Sequence, residues 1–71
     1  MTGQTIWHDY QAGKRDFSQL TLTEVELVQL NLSGANFSDT DLRQSRLGRT
    51  DFSHSILIRA NLSEALLWGT D

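Results

Sequence analysis

The sequence predicts an all-β fold: a quadrilateral parallel β-helix of about three coils, preceded by a short capping helix. Three observations predict it. A Leu or Phe occupies every fifth position from Phe17 to Leu67 without a gap. A second set of residues lies two positions before each of these centres and is small from Ala35 onward. Finally, a chain of 71 residues without cysteine can build only a marginal globular core and has no disulfide, so regular packing or association must stabilise it.

The period of five residues fits neither a helix nor a flat strand. Five steps of about 100° rotate a helical residue by roughly 140°, and an odd spacing on a strand swaps faces. One inward face survives if the backbone turns a corner in every pentad, so that four pentads bring the chain back above its start. Successive coils then pair as parallel bridges about 4.8 Å apart. The predicted columns are Phe17 under Phe37 under Leu57, Leu22 under Leu42 under Leu62, Leu27 under Leu47 under Leu67, and Leu32 under Phe52.

The repeat resembles a known family. Residues 35–39 (ANFSD), 40–44 (TDLRQ), 50–54 (TDFSH) and 60–64 (ANLSE) are similar to the A(D/N)LXX motif of pentapeptide-repeat proteins. The resemblance covers residues 15–71 and implies the family's right-handed, four-sided β-helix. The Asn or Asp just before several centres is a residue type suited to hydrogen bonding with the backbone at corners. These positions are Asn31, Asn36, Asp41, Asp51 and Asn61.

Residues 1–14 predict an N-terminal cap. Ile6, Trp7 and Tyr10 have helical spacing, and Gly13 is suited to end a helix over residues 5–12. Three consecutive inward positions of the first coil, Leu20, Val25 and Leu30, are too large for the middle of a stack. We therefore expect the helix to cover the first coil, with Trp7 or Tyr10 against Leu20 and Leu30. Residues 10–18 are also similar to the cap region of cyanobacterial family members, which suggests a cyanobacterial source.

The last coil predicts an interface. Its final residues, 68–71, show no comparable cap, and the apolar residues Ile56, Ile58, Leu66 and Trp68 occupy outward positions, the first three of which are polar in earlier coils. The tops of inward residues such as Leu67 would also be open. Exposed apolar surface beside an open β-edge is typical of an interaction site. Two interpretations compete: an end-to-end homodimer through this coil, or further coils of a longer chain that cover it.

Charged residues suggest a second surface. Arg43, Arg46 and Arg49 fall on adjoining sides of the second coil, where they could form a partner-docking patch or part of a mixed, solvated surface. The net charge of −3 is too mild to indicate nucleic-acid binding. Residues 1–14 do not resemble a signal peptide, and no apolar run approaches the roughly 20 residues of a membrane span. We expect a cytoplasmic protein without membrane association.

The sequence offers no set of residues for chemistry. His8 and His54 are the only histidines, one in the cap and one on an outward corner, so neither a metal site nor a histidine-activated nucleophile is indicated. Asp51, Ser53 and His54 contain the residue types of a catalytic triad but lie along a solenoid surface without an implied pocket. We therefore expect no enzyme activity, no catalytic residue, no metal, no cofactor and no small-molecule substrate.

Three functional hypotheses remain. The first is a non-catalytic scaffold that binds a protein partner or a second copy of itself. The second is a mimic of duplex DNA, like the family members that bind DNA gyrase, although about three coils give only about 14 Å of stack and the arginines interrupt the negative charge. The third, an enzyme, would require a concave pocket with convergent polar groups, which a filled solenoid does not provide.

Overall fold

The computed structural model describes all 71 residues, and its one helix is α1 (Gly3–Gln11). Thr2 caps the start of α1, since its side-chain oxygen accepts a hydrogen bond from the Thr5 amide at 3.2 Å. At the other end, Gly13 has a φ of 105° and lets the chain leave the helix. The helix begins two residues earlier than the sequence predicted because Thr2, rather than a later residue, supplies the cap.

After α1 the chain forms isolated parallel bridges, each joining residues 20 positions apart. They link Asp16 to Asn36, Thr21 to Asp41, Glu26 to Arg46, Asn31 to Asp51, Asn36 to Ile56, Asp41 to Asn61 and Arg46 to Leu66. No bridge extends into a continuous strand, because the backbone turns within every pentad. The offset of 20 residues confirms the predicted four-pentad repeat. We call residues 15–34 the lower winding, 35–54 the middle winding and 55–71 the upper winding.

The interior is filled by the predicted apolar columns. The rings of Phe17 and Phe37 stack with centroids 5.4 Å apart, and the Phe52 ring meets Phe37 edge-on at 5.6 Å. All the Leu and Phe centres of the lower and middle windings are buried. They are Phe17, Leu22, Leu27, Leu32, Phe37, Leu42, Leu47 and Phe52. Side chains therefore occupy the space enclosed by these two windings.

Positive φ values mark the corners. The residue two positions after each centre has a φ near 60°, for example 57° at Asp39 and 59° at Gln44. The amide of Thr40 donates to the carbonyl of Phe37 at 3.3 Å and closes one of these turns. Asn and Asp side chains support the corners as the sequence predicted: the Asn36 Oδ1 accepts from the Ser38 amide at 2.9 Å, and Asp51 does the same for Ser53.

Small polar residues fill the second inward position without leaving an unpaired group. The Thr40 hydroxyl is buried and donates to the Phe17 carbonyl of the winding below at 2.7 Å. The Ser45 hydroxyl donates to the Leu42 carbonyl, also at 2.7 Å. Every buried side-chain nitrogen and oxygen of the chain has a hydrogen-bond partner. Because each hydroxyl finds a carbonyl, Thr and Ser can occupy core positions without an uncompensated desolvation cost.

Helix α1 covers the underside of the lower winding. Ile6 is fully buried, and Trp7, Tyr10, Leu20 and Leu30 are partly buried against the same core. The sequence predicted Trp7 or Tyr10 against Leu20 and Leu30, and all four side chains pack against the core here. Ile6 is nevertheless the one residue of α1 that is buried completely.

Candidate functional site

The upper winding leaves its apolar interior open. Leu57 is 37% exposed and Leu67 46% exposed, whereas Leu47, directly below Leu67, is 1% exposed. The opening is a concavity with a volume of about 220 Å³. Its apolar lining consists of Leu42, Leu47, Phe52, Leu57, Leu62 and Leu67. Thr70 and Asp71 complete the rim, so the concavity has a single titratable side chain.

Four more apolar side chains project outward from the same winding. Ile56, Ile58, Leu66 and Trp68 are all exposed, Trp68 to 71%. Ile56 bridges to Asn36 and Leu66 bridges to Arg46, so both of these apolar residues lie above a polar residue of the middle winding. Because their centres, Leu57 and Leu67, are two pentads apart in a repeat of four, the two pairs lie on opposite sides of the square. With Leu67 at the open interior, they extend the apolar surface from the top of the winding onto its walls.

Trp68 is held against the wall by the winding below. The Arg49 guanidinium lies over its ring, 4.6 Å from the centroid, in cation–π geometry. A Cβ at Gly48 would make only an ordinary contact with this part of the upper winding, 3.4 Å from the Trp68 carbonyl oxygen. Sequence reasoning assigned Arg49 and Trp68 to separate surfaces, but the offset of roughly 20 residues could have brought them together.

The main chain of the upper winding is also unpaired. In the middle winding, the amides of Phe37 and Asp39 donate upward to the carbonyls of Ile56 and Ile58 at 2.7 and 2.9 Å, and the Ala35 carbonyl accepts from the Ile56 amide. The equivalent amides of the upper winding have no partner: Leu57, Arg59, Leu62, Glu64, Leu67 and Gly69. The equivalent carbonyls of Ser55, Ala60 and Ala65 are free as well. We call these groups the upper edge.

The three arginines predicted as a docking patch each have a partner on the chain. Arg43 forms a two-pronged hydrogen-bonded pair with Asp41 at 2.9 Å. Arg46 lies 3.5 Å from Glu26 of the lower winding, and Arg49 covers Trp68. Arg43 and Arg46 therefore pair with nearby carboxylates and Arg49 with an aromatic ring, and the role of all three in docking stays a prediction.

Several exposed carboxylates are stabilised in their charged form. The Arg43 side chain, with help from the Arg43 amide, lowers the pKa of the Asp41 carboxyl, and the Arg59 side chain lowers that of Asp39. Hydrogen bonds from the hydroxyl and amide of Ser18 lower the pKa of Asp16, and those of Ser53 lower that of Asp51. Each of these carboxylates binds protons more weakly in the folded chain than in the unfolded chain.

The lowered pKa values predict acid sensitivity. The stability that they contribute is present above the unfolded pKa, near 4, and is lost as pH falls through the lower folded values. We expect the thermal midpoint to fall below about pH 4. A variant combining Asp39→Asn with Asp41→Asn, which keeps polar acceptors but removes both charges, should lose less on acidification. Thermal scans in steps from neutral to acidic pH measure this, and parallel losses in both proteins would contradict the assignment.

The structure also bears on metal and membrane association. No group of three or more His, Asp or Glu side chains is placed to hold a metal ion. His8 lies on α1 with Asp9 3.7 Å from its ring nitrogen, and His54 occupies a corner. Helix α1 is too short and too polar to cross a membrane.

Comparisons with known proteins agree with this architecture. A family model described as "Pentapeptide repeats" matches in eight copies over residues 16–39 and 31–69. A solved structure of HetL, a pentapeptide repeat protein involved in heterocyst differentiation regulation from the cyanobacterium Nostoc sp. strain PCC 7120, superposes with a TM-score of 0.96 at 51% identity. The alignment covers all of this chain and 30% of that one. The match implies the right-handed β-helix that the repeat motif suggested. No curated protein matches the chain.

Proposed function

This chain belongs to the pentapeptide-repeat family, and we propose that it acts as a non-catalytic protein-interaction module that binds its partner through the upper winding. The observation behind this proposal is the open apolar end formed by Leu57, Leu62 and Leu67, with Ile56, Ile58, Leu66 and Trp68 on the adjoining walls. A soluble surface seldom exposes so many large apolar side chains together unless they meet another surface.

A non-catalytic role fits the distribution of polar groups. The interior of the lower and middle windings is filled by Leu and Phe, and the concavity above it has one carboxyl group at its rim and no other titratable side chain. A catalytic pocket needs several polar groups that converge on one reacting atom. The Asp51, Ser53 and His54 cluster instead serves the corner, since Asp51 accepts the hydrogen bond from the Ser53 amide at 2.8 Å.

The similarity to HetL suggests the biological setting. That protein is involved in regulating heterocyst differentiation, and this chain matches 30% of its length at 51% identity. We propose that this chain works as a scaffold in a regulatory assembly. The similarity to a cyanobacterial protein also agrees with the cyanobacterial character of the cap region. The partner could be a different protein or, as the sequence suggested, a second copy joined end to end.

The DNA-mimic hypothesis has less support from the surface. A DNA mimic needs a continuous negative potential, but Arg43 neutralises Asp41, Arg46 lies beside Glu26, and Arg59 pairs with Asp39 at 2.6 Å. The surface therefore alternates in charge over short distances. This pattern favours the interaction-module hypothesis over binding to DNA gyrase in place of DNA.

A charge placed in the open end tests the proposal. Leu67→Asp should weaken partner binding by at least about tenfold, because a carboxylate there must be desolvated when the apolar surface is covered. Leu67 is already 46% exposed, so we expect the fold to survive. The matched control is Val28→Asp, which adds the same charge at a 39% exposed position on the lower winding. Both variants and the parent serve as bait in cyanobacterial extract, and captured proteins are quantified by mass spectrometry.

The two variants should give different results. Proteins retained by the parent and by Val28→Asp but lost with Leu67→Asp are those that bind the upper winding. Retention of the same proteins at the same yield by all three baits would place the binding surface elsewhere.

A further inference from the structure

The hydrogen-bonding polarity of the two ends narrows the choice of occupant for the upper winding. Each complete side of the upper edge offers two amides and one carbonyl, as at Leu57, Arg59 and Ser55. Windings present the opposite pattern on their undersides, where two carbonyls and one amide of each side meet the winding below. The solenoid therefore has a donor-rich upper edge and an acceptor-rich lower edge. A partner that pairs fully with the upper edge must supply an excess of carbonyl groups.

A second copy of the chain offers the wrong edge. If two upper edges met face to face, every side would bring together four amides, two from each copy, but only two carbonyls, one from each copy. One amide per side of each copy would then lack an acceptor, and an unpaired buried amide is costly. The acceptor-rich lower edge of a second copy is covered by α1: the Tyr10 hydroxyl donates to the Ser33 carbonyl at 2.8 Å, and Gly3 lies directly against the Glu26 carbonyl.

Each requirement for the occupant follows from the pairing seen below. The amides of Phe37 and Asp39 donate to the carbonyls of the residues just before and just after Leu57, and the Ile56 amide donates to the Ala35 carbonyl. A segment that repeats this arrangement above Leu57 runs parallel to the upper winding, bends every five residues and presents a Leu or Phe centre. That centre would fill the concavity above Leu57, Leu62 and Leu67.

We propose that the upper edge binds a pentapeptide-repeat segment of another protein chain, added in parallel with its acceptor-rich edge first and without a covering helix. This proposal depends on the proposed function, because it specifies the partner of the same upper winding. It differs from end-to-end homodimerisation in the direction of the added backbone. The recognition is main-chain pairing at a β-edge combined with apolar columns that continue across the interface.

A synthetic peptide with the sequence of residues 52–71 tests binding in trans. It supplies the centres of one winding in the register that follows Asp71. Titrated into the isotope-labelled chain, it should shift the amide resonances of the upper edge, and those of Leu57, Leu62 and Leu67 above all. The resonances of amides that are already hydrogen-bonded in the lower winding should not shift. A scrambled peptide of the same composition is the control, and equal shifts with both peptides would overturn the proposal.

A fusion tests the same chemistry without the entropy cost of association. A copy of residues 52–71 placed directly after Asp71 continues the register, and we expect it to raise the thermal midpoint by roughly 10 °C. A control fusion with two glycines inserted at the junction shifts every centre off its column and should gain little. No gain from the in-register fusion, or an equal gain from both, overturns the proposal.

The remaining outcomes are also decisive. A gain from the in-register fusion without any peptide binding would overturn the choice of a separate chain and leave a covalently continuous winding as the occupant. A stable face-to-face dimer of the parent chain with protected upper-edge amides would overturn the proposed role of main-chain polarity. If the bait experiment with Leu67→Asp finds no partner but the peptide binds as expected, the proposed function fails while the edge chemistry stands.

Discussion

Phe37→Ala should remove most of the stability of the fold, by about 3–5 kcal/mol. Phe37 is fully buried at the centre of the stack, with the Phe17 ring below it and the Phe52 ring beside it. Truncation would leave a cavity that two neighbouring windings line, and their columns cannot collapse without breaking the bridges on either side. A domain of this size has little stability in reserve. Urea unfolding followed by circular dichroism measures the loss.

Leu57→Ala is the matched control, since Leu57 occupies the same column one winding higher. It is 37% exposed and has no winding above it, so we expect a loss of only about 1–2 kcal/mol. Equal losses for the two variants would contradict the stacked arrangement, because the column would then have no buried middle.

Gly3→Ala should detach α1 from the lower winding. A Cβ at Gly3 would overlap the main-chain carbonyl oxygen of Glu26, and backbone cannot move aside as a flexible side chain can. Alanine adds up to about 1 kcal/mol of helix propensity, but the displaced helix loses burial of Ile6, which contributes about 1.5–3 kcal/mol. Because the lost burial outweighs the gain in helix propensity, we expect a net destabilisation of about 1–2 kcal/mol. Urea unfolding measures it, together with a red shift of the Trp7 emission in the native state.

The control for this variant is Gly48→Ala. A Cβ at Gly48 would lie 3.4 Å from the Trp68 carbonyl, an ordinary contact, so its effect should stay within about 0.5 kcal/mol. Unchanged stability and unchanged Trp7 emission in Gly3→Ala would show that α1 does not approach the winding as closely as described. The Trp68→Phe background isolates the Trp7 signal in both variants.

Much of the fold could be predicted because the period of the repeat determines the path of the backbone. A period of five with no gap requires a corner in each pentad, and this fixes which residues share a column. The Asx corners followed in the same way, since Asn36 and Asp51 recur just before a centre. The 20-residue register also brings Arg46 next to Glu26 and Arg59 next to Asp39.

The cap was harder to predict because it lies outside the repeat. Trp7 and Tyr10 are the largest apolar side chains of α1, but Ile6 is the one that is fully buried. Which side of a short helix faces its neighbour depends on where the helix starts, and the start depends on Thr2 as the N-cap. The close approach of Gly3 to Glu26 has no signal in the sequence, since it joins the cap to a main-chain carbonyl.

The candidate site was predicted in part. Ile56, Ile58, Leu66 and Trp68 were recognised because they are apolar residues at outward positions of the repeat. The polarity of the upper edge was not, because main-chain donors and acceptors are the same for every residue and acquire a direction only when the windings are stacked. Likewise, Arg49 was interpreted as part of a charged patch, although its guanidinium covers the Trp68 ring.

Residue-resolved hydrogen exchange of the main-chain amides tests the central claim, that the solenoid is closed below by α1 and open above. The comparison is within columns: Phe37, Leu42 and Leu47 donate upward to a following winding, whereas Leu57, Leu62 and Leu67 do not. In the monomeric chain we expect slow exchange at the first three amides and rapid exchange at the last three. Equal protection of both sets would contradict an open upper edge and the binding site inferred from it.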